Sequence, residues 1–299
     1  MATCGFLRKD NVAPVGRRSA IHALLYQDVN LHFDPSWEAQ LSSRFRAVKH
    51  PFWIKQGDRR TGGVQIGPNE IGDLFLIPPF SDTYKVLSLL KAILVHWSDS
   101  QKEIRAYPVF PDQKEPYYML GFSFHRSSRS MVRPTEALPV TWDDAFDVSS
   151  PCRGQEQEIA QLLCEAQLAR GITFSLEGQT RKMATCIDGF SLPEAVRRAS
   201  STVHDKHSGR LVGACIIALR YRYSWPMVFD IAVHPDFQRR GLATRMLKRA
   251  LTALKEGGYP ALTLDVSTSN SAQSVYANLG FLPGVEVSTF RIPAAQSRK

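Results

Sequence analysis

One stretch, residues 227–258 (MVFDIAVHPDFQRRGLATRMLKRALTALKEGG), constrains the fold more than any other because its hydrophobic period changes partway along. Val228, Phe229, Ile231 and Val233 form a short β-branched and aromatic run, which His234 and Pro235 close because proline cannot continue a ladder. After Gly241 the apolar residues Leu242, Ala243, Met246, Leu247, Ala250, Leu251 and Leu254 recur at helical spacing, until Gly257 and Gly258 stop the pattern. The segment is strand, loop, amphipathic helix. The loop QRRGLA (238–243) lies where a helix presents unpaired N–H groups and partial positive charge. Gly241 lets the backbone approach a ligand closely, and Arg239 and Arg240 add charge beside it, so the loop predicts a diphosphate site.

Charge points the same way. The chain has 299 residues and a net charge of +9, divided at residue 150 into 18 − 16 = +2 and 19 − 12 = +7. The anionic partner therefore belongs to the second part, and a phosphorylated cofactor explains the asymmetry without nucleic acid, for which no basic stripe interleaved with aromatics is present. No apolar run approaches the ~20 residues of a membrane span, and residues 1–16 lack the apolar core of a secretory signal. The expectation is a soluble, cytoplasmic protein with no membrane partner. The five cysteines, Cys4, Cys152, Cys164, Cys186 and Cys215, include no CxxC pair, which points to reduced and mostly buried thiols rather than a disulfide framework or a metal site.

Downstream, ALTLDV (261–266) reads as a second strand. Asn270 or Ser271 is then a good N-cap, with Gln273 in capping-box position and Gly280 as the stop, for a helix over residues 272–279. These features resemble the Gcn5-related N-acetyltransferase (GNAT) superfamily. QRRGLA fits its Q/R-x-x-G-x-G/A signature, the preceding strand ends AVHP, and LGF at 279–281 completes the pattern. The resemblance implies an α/β fold built on a mixed sheet flanked by helices, and acetyl-CoA as the donor with no metal.

It further implies a role for each matching residue. The amides of Gln238, Arg239, Arg240, Gly241, Leu242 and Ala243 hold the CoA pyrophosphate, and the main chain of Ile231, Ala232 and Val233 pairs with the pantetheine arm. Asn270 contacts pantetheine and Tyr276 faces the sulfur, where a phenol can protonate the departing thiolate. Asp230 is the candidate base, directly or through water, and a backbone N–H near Val233 the oxyanion donor. His234 is expected to be exposed on its turn. The implied activity is transfer of an acetyl group to a primary amine by direct attack in a ternary complex, with a small-molecule acceptor preferred to a protein. A non-catalytic acyl-CoA-binding protein and an O- or S-acyltransferase would use the same residues, and the oligomeric state is left open.

Upstream, helices are expected over 155–169 and 192–199, bracketing a loop over 171–189, and a hairpin joins 201–204 to 210–221. The first half repeats the pattern. GDLFLIPPF (72–80) matches FDIAVHPDF (229–237) at an offset of 157, with Asp73 against Asp230, and YYMLGF (117–122) aligns with VYANLGF at 159. Two tandem GNAT-like domains are expected, residues 1–145 and 150–299. The first lacks the glycine loop, with Asp82 at an arginine position and Pro111 at that of Asn270, so it is expected not to bind CoA. A helix is expected over 35–46 and a hairpin over 52–66, and Trp53, Tyr107, Tyr117, Tyr118 and Trp142 are candidates for an aromatic wall beside the acceptor.

Overall fold

The computed structural model describes residues 51–56, 59–169, 171–187, 192–220 and 225–294. The helix expected over 35–46 lies outside them. In chain order the elements are β1 (Pro51–Gln56), β2 (Arg59–Gly67), β3 (Glu70–Leu76), α1 (Thr83–Trp97), β4 (Ile104–Val109), α2 (Lys114–Met119) and β5 (Ser123–Pro134). There follow β6 (Phe146–Ser149), α3 (Glu156–Leu168), α4 (Leu176–Ile187), α5 (Glu194–Ala199), β7 (Ser201–Asp205), β8 (Leu211–Arg220) and β9 (Trp225–Val233). The last four are α6 (Leu242–Glu256), β10 (Ala261–Ser267), α7 (Gln273–Asn278) and β11 (Leu282–Ile292).

The chain forms two compact units that are interleaved in sequence. Of the described residues, the first takes those of 51–130, 266–271 and 283–294, and the second those of 131–265 and 272–282. In the first unit the strand order is β1-β2-β3-β4-β11-β5. β1, β2 and β3 are antiparallel neighbours, β4 runs parallel to β3, and β11 runs antiparallel to β4. Parallel pairing of β3 with β4 needs a crossover, which α1 supplies with Leu87, Leu90 and Leu94 buried at helical spacing. Phe290 of β11 is fully buried in this core, its ring centroid 5.5 Å from Tyr117 and 4.9 Å from Tyr118.

In the second unit the order is β5-β10-β9-β8-β7-β6. β6 to β9 are antiparallel neighbours and β10 is parallel to β9, with α6 as the crossover. α6 buries Leu242, Met246, Leu247, Ala250, Leu251, Ala253 and Leu254, the stripe that its sequence predicts except that Ala253 is buried and Ala243 only half-buried. α3 and α4 pack through Ile159, Leu163 and Met183 onto Ala214, Ile216 and Ala232 of β8 and β9.

Two segments differ from expectation. The loop expected over 171–189 contains α4, whose buried residues Gln179, Met183 and Cys186 share one face. Its polar first turn and Gly178 mask that period in the sequence. β6 lies in the gap between the two expected domains, 1–145 and 150–299, as a four-residue strand paired with β7.

The internal repeat is visible in the elements themselves. α1 and α6 each span 15 residues and begin 242 − 83 = 159 positions apart. α2 and α7 each span six and begin 273 − 114 = 159 apart. Each half thus runs strand, helix, strand, short helix, strand.

Candidate active site

The site is built on a break in strand pairing. β9 pairs with β10 only at Met227↔Thr263 and Val228↔Leu264. On its other edge β9 follows β8 all the way to Val233↔Gly213. Between Ile216↔Asp230 and Ile217↔Val228 the register shifts, leaving Phe229 as the extra residue of a β-bulge. A bulge bends its strand, so the stretch from Asp230 to Val233 has β8 on one edge and no ladder partner on β10. The N–H of His234 donates to the Val212 carbonyl at 2.8 Å. Strand donors alternate, so the N–H of Val233 points to the opposite, open edge. Ile231, Ala232 and Val233 therefore offer main-chain groups along a cleft, while the Ala232 side chain is buried in the core below.

The loop after β9 is held by its own side chains. His234 Nδ1 accepts the Asp236 N–H at 3.3 Å, and Gln238 Nε2 donates to the Val233 carbonyl at 3.2 Å. Arg239 (φ 61°) and Gly241 (φ 77°) both adopt the left-handed conformation, and Gly241 is the N-cap of α6. No side chain caps that helix start, so its first N–H groups remain open to an anion. Arg240 lies 4.8 Å from the Phe237 ring centroid, and Arg245 Nη1 donates to the Arg240 carbonyl at 2.9 Å. Gln238, Arg239, Arg240 and Gly241 are exposed, Ala243 is half-buried, and the Leu242 side chain is in the core, so Leu242 can contribute only backbone.

The corresponding turn of the first unit is built differently. The loop from β3 to α1 has 83 − 76 − 1 = 6 residues, against 242 − 233 − 1 = 8 from β9 to α6. Aligned on the helix starts, Asp82 therefore stands at the place of Gly241, 241 − 82 = 159, rather than at an arginine's. Its carboxylate accepts the Lys85 N–H at 2.9 Å, so the helix start already carries a negative charge.

Asp230 is half-buried, and its Oδ1 accepts the Ile231 N–H at 3.0 Å. It shares a face of β9 with Ala232, the face covered by α3 and α4. Three thiols respond to its charge. Burial, then the Asp230 carboxylate, pushes Cys186 of α4 to about 11 and Cys215 of β8 to about 12, and the same causes raise Cys164 of α3. These thiols are protonated at neutral pH and poor nucleophiles. The sequence contained no sign of this cluster, because its members come from three separate elements.

His234 is buried at 7% exposure, contrary to the expected exposed turn. Its Nε2 is 3.6 Å from Glu165 Oε2 of α3, which also accepts from Arg210 at 3.0 Å. The signal available in the sequence was a histidine just before Pro-Asp, where its ring can cap the turn.

Tyr276 is buried on α7, with its ring edge-on to Phe281 at 6.1 Å. α7 begins at Gln273 with Ala272, rather than Asn270 or Ser271, as its N-cap. The Asn270 N–H donates to the Ser267 carbonyl at 3.0 Å. The second unit thus holds Asp230, Ile231 to Val233, Gln238 to Ala243 and Tyr276, whereas Asn270 falls in a segment of the first. Of the aromatic wall candidates, Tyr117 is a core residue, Tyr107 and Tyr118 are about half exposed, and the Trp53 side chain lies outside the described residues. Among the described residues no group of three potential metal ligands occurs.

Residues 168–281 match the model of the acetyltransferase (GNAT) family. Over 55 residues the chain is 46% identical to the [ribosomal protein bS18]-alanine N-acetyltransferase of Salmonella typhimurium and 42% identical to that of Escherichia coli. Each match covers 18% of this chain and 37% of the relative, so the chain spans little more than a third of the length of these relatives. Among solved structures, a GCN5-related N-acetyltransferase from Sphaerobacter thermophilus superposes with a TM-score of 0.69 at 12% identity, over 93% of this chain and 90% of that one. A tandem GNAT protein from the clavulanic acid biosynthesis pathway gives 0.59 at 14% identity, over 97% and 98%. These likenesses show the fold over both halves.

Proposed function

With residues 168–281 forming a domain of the acetyltransferase (GNAT) family, we propose that the protein is an N-acetyltransferase that takes its acetyl group from acetyl-CoA and passes it to a primary amine. The observation that carries this reading is the open start of α6, with two left-handed residues before it, beside a strand edge that β10 has left. A pyrophosphate fits the first feature and an extended pantetheine amide chain the second.

In the proposed reaction the amine nitrogen attacks the thioester carbonyl, and the C–N bond forms as the C–S bond breaks. Asp230, on the face covered by α3 and α4, accepts the amine proton directly or through a water. The outward N–H of Val233 stabilises the oxyanion, and Tyr276 protonates the departing thiolate. Asn270 is assigned to the pantetheine arm. The relatives' names describe a protein alanine as acceptor, which supports a protein amine as the alternative to the small-molecule amine preferred on sequence grounds. The first unit is read as not binding CoA, because Asp82 fills the helix start where the second unit has Gly241.

Calorimetric titration with acetyl-CoA tests the donor site. The wild type is expected to bind, and Gly241→Glu to lose binding while remaining folded, because it sets a carboxylate where the pyrophosphate lies. A wild type without affinity for acetyl-CoA refutes the proposal. Acceptors are then separated by acetyl transfer to a panel of small amines and to peptides with an N-terminal alanine.

A further inference from the structure

Away from this site, the second unit contains a cavity of about 390 Å³ lined by both charged and apolar side chains. The volume lies in the range of small-molecule sites. α6 contributes Arg249 and Glu256, and α5 contributes Arg198. Leu138, Val140 and Trp142, from the segment between β5 and β6, form an apolar wall. Arg249 stands 249 − 241 = 8 residues along α6 from Gly241, about 12 Å at the helical rise.

The wall is fixed in place before any ligand arrives. Thr252 Oγ1 accepts the Leu138 N–H at 3.0 Å, and its one proton lies between the Lys248 carbonyl at 3.0 Å and the Leu138 carbonyl at 3.2 Å. The charge is less well matched. Arg198 is paired with Glu256 at 3.0 Å in an exposed ion pair. Arg249 is half-buried, and it donates to neutral partners, Ser150 Oγ at 3.3 Å and the Arg198 carbonyl at 3.5 Å. Among the described residues no carboxylate pairs with Arg249. Burial, and then the like charge of Arg198, lower its pKa. Two guanidiniums against one carboxylate leave a cationic site walled by apolar surface, and an anion would complete it.

We propose that this cavity binds a small organic anion, with its carboxylate or phosphate between Arg249 and Arg198 and its apolar body against Leu138, Val140 and Trp142. The site is separate from that of the acetyl donor and does not depend on the function proposed above.

Benzoate and phenyl phosphate are suitable probes, with inorganic phosphate and benzyl alcohol as controls that each carry half of the chemistry. Binding is followed by calorimetry and by the indole N–H resonance of Trp142, assigned from its absence in Trp142→Phe. The two aromatic anions are expected to bind the full chain and shift that resonance, the alcohol not to bind, and inorganic phosphate to bind at least about fivefold more weakly than phenyl phosphate. Whichever aromatic anion binds more tightly identifies the headgroup. Arg249→Gln is expected to weaken binding about tenfold or more, with Arg249→Lys recovering part of it. Arg198→Gln changes an exposed side chain and carries the test should Arg249→Gln fail to fold, with an expected weakening of about threefold or more. Gly241→Glu is expected to leave benzoate binding unchanged. The proposal is overturned if neither aromatic anion binds, if benzyl alcohol or inorganic phosphate binds as tightly as they do, or if the folded arginine variants bind as well as the wild type.

Discussion

At Gly241 a Cβ would meet nothing nearer than the Arg245 guanidinium at 3.7 Å, so conformation rather than space selects glycine here. Gly241→Ala is expected to cost roughly 1–2 kcal/mol in chemical denaturation from the left-handed backbone alone, and to weaken acetyl-CoA binding far less than Gly241→Glu. Asp230 and Tyr276 are separable by kinetics. Asp230→Asn and Tyr276→Phe are each expected to lower kcat about 100-fold with acetyl-CoA affinity retained, and an unchanged kcat in either variant removes that residue from the mechanism. The thiols around Asp230 predict a pH dependence. Cys186 and Cys215 have folded pKa values of about 11 and about 12, above the ordinary value of 9.0, so above pH 9 the folded chain keeps protons that the unfolded chain loses. Their stabilising contribution is complete below pH 9 and is lost as pH rises through about 11 and 12. A thermal melt series is expected to show Tm falling above pH 9, less steeply in Cys215→Ala, and a Tm that holds to pH 11 contradicts the assignment.

The contact between α5 and the end of α6 is so close that an added Cβ at Gly257 would come 2.2 Å from Cβ of Ala195. Gly257 has φ −80°, so the obstacle is the neighbouring helix and not the backbone. Gly257→Ala is expected to cost about 1–3 kcal/mol, and the double change with Ala195→Gly to recover most of it. Failure of that rescue would mean that the cost does not come from the clash with Ala195. At this scale the sequence was most legible where an element is long and periodic. β9 and α6 came within a residue or two of their ends, because one apolar stripe and its glycine stops leave little choice. α4 was missed because Gly178 and a polar first turn interrupt its stripe, and β6 because four residues carry too little period to read. The loop of residues 238–243 was legible as a candidate site because its chemistry is contiguous. The Cys164, Cys186, Cys215 and Asp230 cluster was not, since only folding brings α3, α4, β8 and β9 together.

Across the whole molecule, the repeat of 159 residues makes two similar frames with one open helix start between them. Calorimetry is accordingly expected to give one acetyl-CoA per chain, and two would show that Asp82 does not close the first frame. The sequence revealed the repeat but not the exchange of strands, because a pattern of elements does not say which sheet a strand joins. β11 follows α7 of the second unit and yet pairs with β4 in the first, where Phe290 fills the core. Phe290→Ala is expected to destabilise the first unit by about 3–5 kcal/mol, measurable as exposure of the buried Tyr117 in hydrogen exchange or fluorescence. The placement of β11 also fixes an order of events during synthesis. Residues 51–130 leave the ribosome early, but the gap between β4 and β5 stays open until residues 282–292 have emerged. The half that is translated first is thus the half that matures last, with two unpaired strand edges exposed to chaperones while the rest of the chain is made.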